Sequence, residues 1–354
     1  MSRFFSEKFS RLTPYVPGEQ PKDMKYVKLN TNESPFPPSE AVVAAATEAI
    51  RHGELYSDPE CLAVRRALAE RYGVSVDEVI VSNGSDEVLN FAFMAFCDDD
   101  HPAAFPDITY GFYSVFAEAN RVPYRRIPLR DDFTVDPGDY MGIPETVFLA
   151  NPNAPTGIAL PLESIRAIVE SNPDRVTVVD EAYVDFGGES AVSLIHDCPN
   201  LLVTGTFSKS RSLAGARLGF AFGQRDLIRD LDTLRNSTNP YNVNRMTIAA
   251  GAASLAEDER NRKNCAVIME NRDYAAGKLE EMGFVLTDSR ANFLFASHPK
   301  LDGGELYRSL KRRGILVRHW DSERIRQYVR ITVGSREQMN ALLSVVQTVL
   351  EDET

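Results

Sequence analysis

The chain has 354 residues, 43% apolar and 25% charged, a composition that suits one large globular domain or two. Its 39 basic and 51 acidic side chains leave a formal net charge of −12, which disfavours nucleic acid and other polyanions as partners. Four cysteines and five histidines are scattered with no CxxC or HExxH spacing, so neither a disulfide framework nor a metal site is expected.

Residues 1–12 interleave aromatic and charged side chains where a secretion signal would be apolar. No apolar run approaches the roughly 18 residues of a membrane span, and a soluble cytoplasmic protein is expected. Residues 12–39, rich in Pro, Asn and Gly, read as an arm. Beyond them, apolar runs at 79–81, 147–150, 176–179, 201–204 and 218–222 alternate with helical patterns at 86–96, 162–171 and 225–235. Strands separated by helices predict βαβ units, hence an α/β fold with a mainly parallel sheet buried on both faces. Helical periodicity dominates residues 244–282. The tail then reads strand (284–287), strand (293–296), helix (305–313), strand (316–318), strand (328–332) and helix (336–350), a smaller α+β unit. The expected organisation is an arm at 1–40, a large domain at 41–256 and a small domain at 257–354.

Such sheets bind ligands at the carboxyl ends of their strands. Ser82-Asn83-Gly84-Ser85-Asp86-Glu87 follows the first run; Gly84 permits a tight turn, Ser85 or Asp86 can cap the helix, and free N–H groups there suit a phosphate. Asn151-Pro152-Asn153-Ala154-Pro155-Thr156-Gly157 follows the second, an extended and sharply turned loop. Asp180, ending a buried run, is costly unless it meets a cation or several donors; it is read either as a cap or as the partner of a ligand cation. Lys209, framed by Thr206, Ser208 and Ser210, is of the type that becomes nucleophilic on burial and forms Schiff bases. Arg217 beside two glycines can approach an anion closely. Taken singly, the two turns are ordinary turn chemistry. Together the four signals describe a ligand with a phosphate, a ring needing a carboxylate and an aldehyde that condenses with lysine. Pyridoxal phosphate has all three.

The order SNGSDE, TYGFY, NPNAPTG, VVDEAY, TFSKSRSLAGARLGF and VRITVG resembles the fold-type I aminotransferases, and within them the histidinol-phosphate aminotransferases, over nearly the whole chain. The resemblance implies a seven-stranded large-domain sheet, a pyridoxal phosphate cofactor and a homodimer with active sites at the subunit interface. It implies that Lys209 links covalently to the cofactor, Asp180 pairs with its ring nitrogen, Tyr183 bonds its ring hydroxyl and Tyr110 stacks on its ring. Gly84, Ser85, Asp86, Thr206, Ser208 and Arg217 would hold the phosphate, joined by Tyr56 from the neighbouring subunit. The family often has Asn where this chain has Ala154, and Asn153 is carried as a cofactor contact in its place.

On the substrate side the resemblance matches Arg318 and Arg330 to anion-binding arginines, whose planar forks suit carboxylate or phosphate. Tyr15 matches a residue closing over substrate, Asn30 and Asn32 the site entrance, and Tyr241 with Asn242 a second wall. The implied reaction moves an amino group from histidinol phosphate to 2-oxoglutarate. An aromatic aminotransferase and a lyase such as threonine-phosphate decarboxylase are the alternatives.

Overall fold

The computed structural model describes residues 2–10 and 12–352; residues 1, 11, 353 and 354, parts of the expected arm and small domain, lie outside the described residues. The arm contributes a short strand, β1 (Val27–Lys28), before helices α1 (Glu40–Ile50) and α2 (Leu62–Tyr72). The Ser39 hydroxyl caps α1 by accepting from the Val42 N–H, and Gly73 closes α2 in the left-handed conformation. Then follow β2 (Val79–Ser82), α3 (Ser85–Phe96), β3 (Ala103–Pro106), α4 (Phe112–Asn120), β4 (Tyr124–Ile127), β5 (Thr146–Ala150), α5 (Leu162–Ser171), β6 (Thr177–Asp180), β7 (Leu201–Thr206) and β8 (Gly219–Phe222).

Strands β2 to β8 form a seven-stranded sheet in the order β2-β8-β7-β6-β5-β3-β4. All adjacent pairs are parallel except those of β8, which runs antiparallel to both β2 and β7. The alternation of strand side chains sorts the core into two layers. Val79, Val81, Val179, Leu201, Val203, Phe220 and Phe222 belong to one buried cluster, while Ile80, Val178, Leu202 and Ala221 belong to another. Both faces are therefore covered, by α1, α2, α5 and the helix at Arg245–Ala256 on one side and α3, α4 and the helix at Arg225–Thr238 on the other. Each fully buried aliphatic side chain contributes about 1.5–3 kcal/mol, so this double burial dominates the stability of the sheet.

Helices α6 (Arg225–Thr238), α7 (Arg245–Ala256) and α8 (Asp258–Glu281) follow, with a break at Glu257 in what reads as one helical stretch. The tail supplies β9 (Val285–Leu286), β10 (Phe293–Ser297), α9 (Gly303–Arg312), β11 (Ile315–Leu316), β12 (Arg318–His319), β13 (Tyr328–Thr332) and α10 (Arg336–Asp352). A four-stranded sheet, β12-β13-β10-β9, packs on α8, α9 and α10 through Ile268, Leu279, Leu294, Leu310, Ile331, Leu342 and Val346.

Two local expectations are corrected, and two strands come without a sequence signal. Strands β3 and β4 escape the pattern: β3 is Ala-Ala-Phe-Pro, of low strand propensity, and β4 is an edge strand with Arg125 and Arg126 exposed. The run at 316–318 is two strands in two sheets, because β11 pairs with β1 of the arm and β12 pairs with β13. Neither Ser85 nor Asp86 caps α3; the cap is Gly84, at φ 77°.

Candidate active site

Because β2, β5, β6 and β7 run in one direction, the segments that follow them emerge along one edge of the sheet. Register places Ser82, Gly219 and Thr206 in one row and Ala150, Asp180 and Thr204 in another. Above these rows lies a cavity of about 170 Å³ whose walls include Ser85, Asp86, Tyr110, Ala154, Asp180, Tyr183, Thr206, Ser208, Lys209 and Arg217. Thr31 and Glu33 of the arm complete it.

The Lys209 amine donates to the Thr31 carbonyl at 3.1 Å and lies 5.8 Å from the centre of the Tyr183 ring. Burial, and then the positive charge of Arg330, bring its pKa down to about 8. The Asp180 carboxylate accepts from the Tyr113 hydroxyl at 3.0 Å and from the Thr204 hydroxyl at 3.2 Å. Burial nonetheless pushes its pKa up to about 6, because hydroxyl donors replace hydration only in part. A buried carboxylate held by neutral groups is suited to a cationic ring nitrogen, and a depressed amine to an aldehyde.

The N-terminus of α3 forms the third part. Gly84 is in a conformation that L side chains rarely adopt, and a Cβ there would lie 2.4 Å from the Arg217 guanidinium. At Gly219 a Cβ would lie 2.2 Å from the Ser85 nitrogen, so β8 can run against this turn only as glycine. Arg217 donates to the Ser208 hydroxyl at 3.3 Å and to the Asp86 carboxylate at 3.1 Å; the Tyr110 hydroxyl also donates to Asp86, at 2.6 Å. Free N–H groups, a guanidinium and the hydroxyls of Ser85, Thr206 and Ser208 thus face one corner, a donor set that fits a phosphate monoester. Amine, carboxylate and phosphate corner together fit pyridoxal phosphate.

Around the cavity, Tyr15 stacks on Phe112, with centroids 4.3 Å apart, and approaches Tyr110 at 6.2 Å. Asn32 donates to the Tyr183 hydroxyl at 2.9 Å and is itself held by Thr332. Asn30 is buried, and its carbonyl accepts from Arg330 at 3.1 Å. Arg318 and Arg330 face each other across β12 and β13.

Gly84, Tyr15, Asn30, Asn32, Arg318 and Arg330 are not part of the cavity wall itself, and four more expected site residues, Asn153, Tyr56, Tyr241 and Asn242, are engaged elsewhere. The Asn153 side chain accepts from Thr109 and donates to the Ile108 carbonyl and Thr156, so its hydrogen bonds serve the loop, and Ala154 is the residue presented to the cavity. The turn at 154–156, closed by the Gly157 N–H on the Asn153 carbonyl, aims the two neighbours differently. Tyr56 and Tyr241 stack on each other at 4.5 Å, with Tyr56 78% exposed. Asn242 is buried and donates to Glu87 of α3. Conversely, sequence reasoning missed Tyr113, Thr204, Thr31 and Glu33. Tyr113, one helical turn after Tyr110, carries a spacing signal; Thr31 contributes a backbone carbonyl, which no side-chain pattern reveals.

Among the described residues no group of three or more His, Cys, Asp or Glu side chains could hold a metal ion, and no helix is long and apolar enough to cross a membrane.

Residues 24–346 match the family model of class I and II aminotransferases. The chain is 48% identical to the histidinol-phosphate aminotransferase of a Marinomonas species over 98% of this chain and all of that one. It is 48% identical to the enzyme of that name from Acetobacter pasteurianus, over 99% of each. Its fold superposes with a TM-score of 0.82 on a histidinol-phosphate aminotransferase from Sinorhizobium meliloti in complex with pyridoxal 5'-phosphate, at 24% identity and covering 92% of each chain. The chain belongs to the class I and II aminotransferases. It is a transaminase, and pyridoxal phosphate is its cofactor.

Proposed function

We propose that the chain transfers the amino group of histidinol phosphate to 2-oxoglutarate, giving imidazole acetol phosphate and glutamate. The observation that carries the reading is the guanidinium pair of Arg318 and Arg330, opposed on adjacent strands, with Arg330 adding to burial in lowering the pKa of the Lys209 amine. Such a pair suits the two substrates in turn, a phosphate ester and a dicarboxylate. The names of the relatives at 48% identity support the same substrate.

When bound, pyridoxal phosphate supplies a ring that accepts the electron pair left at the reacting carbon. Lys209 would hold its aldehyde carbon, Asp180 its ring nitrogen, Tyr183 its ring hydroxyl and Tyr110 one ring face. The α3 N-terminus, Thr206, Ser208 and Arg217 would hold the phosphate. Brought down to about 8, the Lys209 amine sheds its own proton far more readily than a solvated lysine, and it would take the proton from the substrate's Cα. The Thr31 carbonyl orients that amine. Tyr113 and Thr204 fix the Asp180 carboxylate, and Tyr15 with Phe112 forms an apolar cover that excludes water.

We further propose a cytoplasmic homodimer in which Tyr56 of one subunit reaches the phosphate of the other. The exposure of Leu55, Tyr56 and Tyr241 supports such an interface, and four free cysteines suit a reducing compartment. The division into an arm at 1–40, a large domain at 41–256 and a small domain at 257–354 is supported by a main buried cluster drawn wholly from residues 42–255 and by the break between α7 and α8, while Leu29 of the arm and Phe186 of the large domain pack into the small-domain cluster.

The test is glutamate formation by holoenzyme given 2-oxoglutarate and either histidinol phosphate or phenylalanine. The expected kcat/KM favours histidinol phosphate by at least roughly tenfold, since a site built for an anionic group discriminates against substrates lacking it. Preference for phenylalanine, or release of CO2 without a requirement for 2-oxoglutarate, would replace the reading with an aromatic aminotransferase or a lyase.

A further inference from the structure

Two like charges directly opposite each other on paired strands repel. Arg318 and Arg330 are in that position, and among the described residues neither forms an ion pair with a carboxylate. Arg318 donates to the carbonyls of Val16 and Pro17 at 3.0 and 3.1 Å, and Arg330 to that of Asn30 at 3.1 Å. The Nε of Arg330 is buried and has no hydrogen-bond partner among the described residues. Neutral carbonyls orient two cations but do not explain why both guanidiniums stay at one place.

Trp320 lies two residues beyond Arg318, on the same face of the extended chain. The guanidinium carbons of Arg318 and Arg330 lie 5.4 and 5.3 Å from the centre of its ring, both within cation–π range. The indole is anchored in turn, packing into an apolar cluster with Ile108, Phe133, Phe295 and Ile325. That cluster joins the segment leading to Tyr110 with the small sheet, so the ring is held between the two.

We propose that Trp320 is a positioning residue: its indole gathers the Arg318 and Arg330 guanidiniums so that one phosphate or carboxylate group of the substrate meets both. The proposal rests on reading the arginine pair as the substrate-anion site. Arginine is required in this arrangement, because a planar guanidinium can stack on the ring and still offer its edge to an anion. An anion bound by both guanidiniums changes the field at the indole. Trp320 is the only tryptophan of the chain, so its emission reports that event.

The experiment uses holoenzyme of wild type, Trp320→Leu, Trp320→Phe, Arg318→Gln and Arg330→Gln. Leucine keeps apolar volume and removes the π face; phenylalanine keeps both in part. The expected result for Trp320→Leu is a KM raised roughly tenfold for both histidinol phosphate and 2-oxoglutarate, with kcat within roughly threefold, and recovery of most of the loss in Trp320→Phe. In the wild type, inorganic phosphate should shift Trp320 emission saturably, and Arg330→Gln should abolish the shift. Unmoved KM values in Trp320→Leu, or a fall in kcat alone in both Trp320 variants, overturn the proposal. An emission spectrum indifferent to phosphate does so without requiring any variant to fold. If Arg318→Gln and Arg330→Gln raise KM while Trp320→Leu does not, only the role of Trp320 falls; if the arginine variants leave KM unchanged, the anion site itself falls.

Discussion

At Asp180, removal from water outweighs the hydrogen bonds of Tyr113 and Thr204, and the carboxyl titrates near 6 rather than 3.8. The folded chain therefore holds this proton more tightly than the unfolded one. Its stabilising effect is full below about pH 4, falls away between pH 4 and 6, and above pH 6 leaves only the penalty of a buried charge. Asp180→Asn should raise the stability of cofactor-free protein at pH 7.5 by on the order of 2 kcal/mol while removing most of the turnover. Thermal melts at pH 5 and 7.5 check this, and an unchanged midpoint at the higher pH would contradict it. Lys209 has the opposite charge type and a pKa lowered from 10.5 to about 8. Its penalty is full below pH 8 and lifts as pH rises toward 10.5. Lys209→Ala should abolish turnover and the visible absorbance of lysine-bound cofactor; residual transamination in that variant would remove Lys209 from the reaction. Both side chains stood out in the sequence because a charge ending a buried apolar run demands a reason. Tyr113 did not, since an aromatic on a helix reads as core packing.

The turn between β2 and α3 depends on two glycines from distant parts of the chain. Gly84 takes a positive φ, and Gly219 lets β8 lie against the turn. Gly84→Ala meets both a backbone penalty of about 1–3 kcal/mol, since φ 77° with ψ 160° is a conformation left almost wholly to glycine, and a clash with the Arg217 guanidinium. We expect a lowered melting temperature together with weaker cofactor affinity, measured by titrating cofactor-free protein with pyridoxal phosphate. Full affinity with a normal melt would mean that the turn relaxes. At this scale the sequence was readable wherever an apolar run was long and its turn marked, as at β2, β5, β6 and β7. It was unreadable at β3 and β4, where alanines and exposed arginines carry no strand signal. At residues 315–319 it was readable only in part, because two strands belonging to different sheets share one short run.

Between the two sheets, Arg324 reaches from the loop after β12 to the Asp107 carboxylate at 2.7 Å and to the carbonyls of Leu129 and Arg130 at 2.9 and 3.0 Å. Asp107 directly precedes the segment carrying Tyr110, so this clamp links the small sheet to the cavity wall. Arg324→Ala should destabilise the protein by about 1–3 kcal/mol, read as a shifted denaturant midpoint, because a charged donor is lost and its carboxylate partner is left behind. An unmoved midpoint would show the clamp to be idle. The proposed dimer has its own test. Chains carrying Lys209→Ala and chains carrying Tyr56→Ala, each impaired alone, should regain activity when co-expressed, since one mixed site then holds both native residues. No recovery in isolated mixed dimers would place Tyr56 outside the partner's site.

By itself the sequence determined the chemistry: an amine, a carboxylate and a glycine turn each follow a buried apolar run, and parallel strands deliver such ends to one edge. Tertiary structure decided which other groups meet them. Thr31 and Lys209 are 178 residues apart, and Tyr113 and Asp180 are 67 apart. It also turned Asn153 into its own loop and set Arg318 against Arg330 beside Trp320. Local periodicity reports which face of an element is buried, whereas the direction of a loop side chain is set by contacts made only after the sheets have packed.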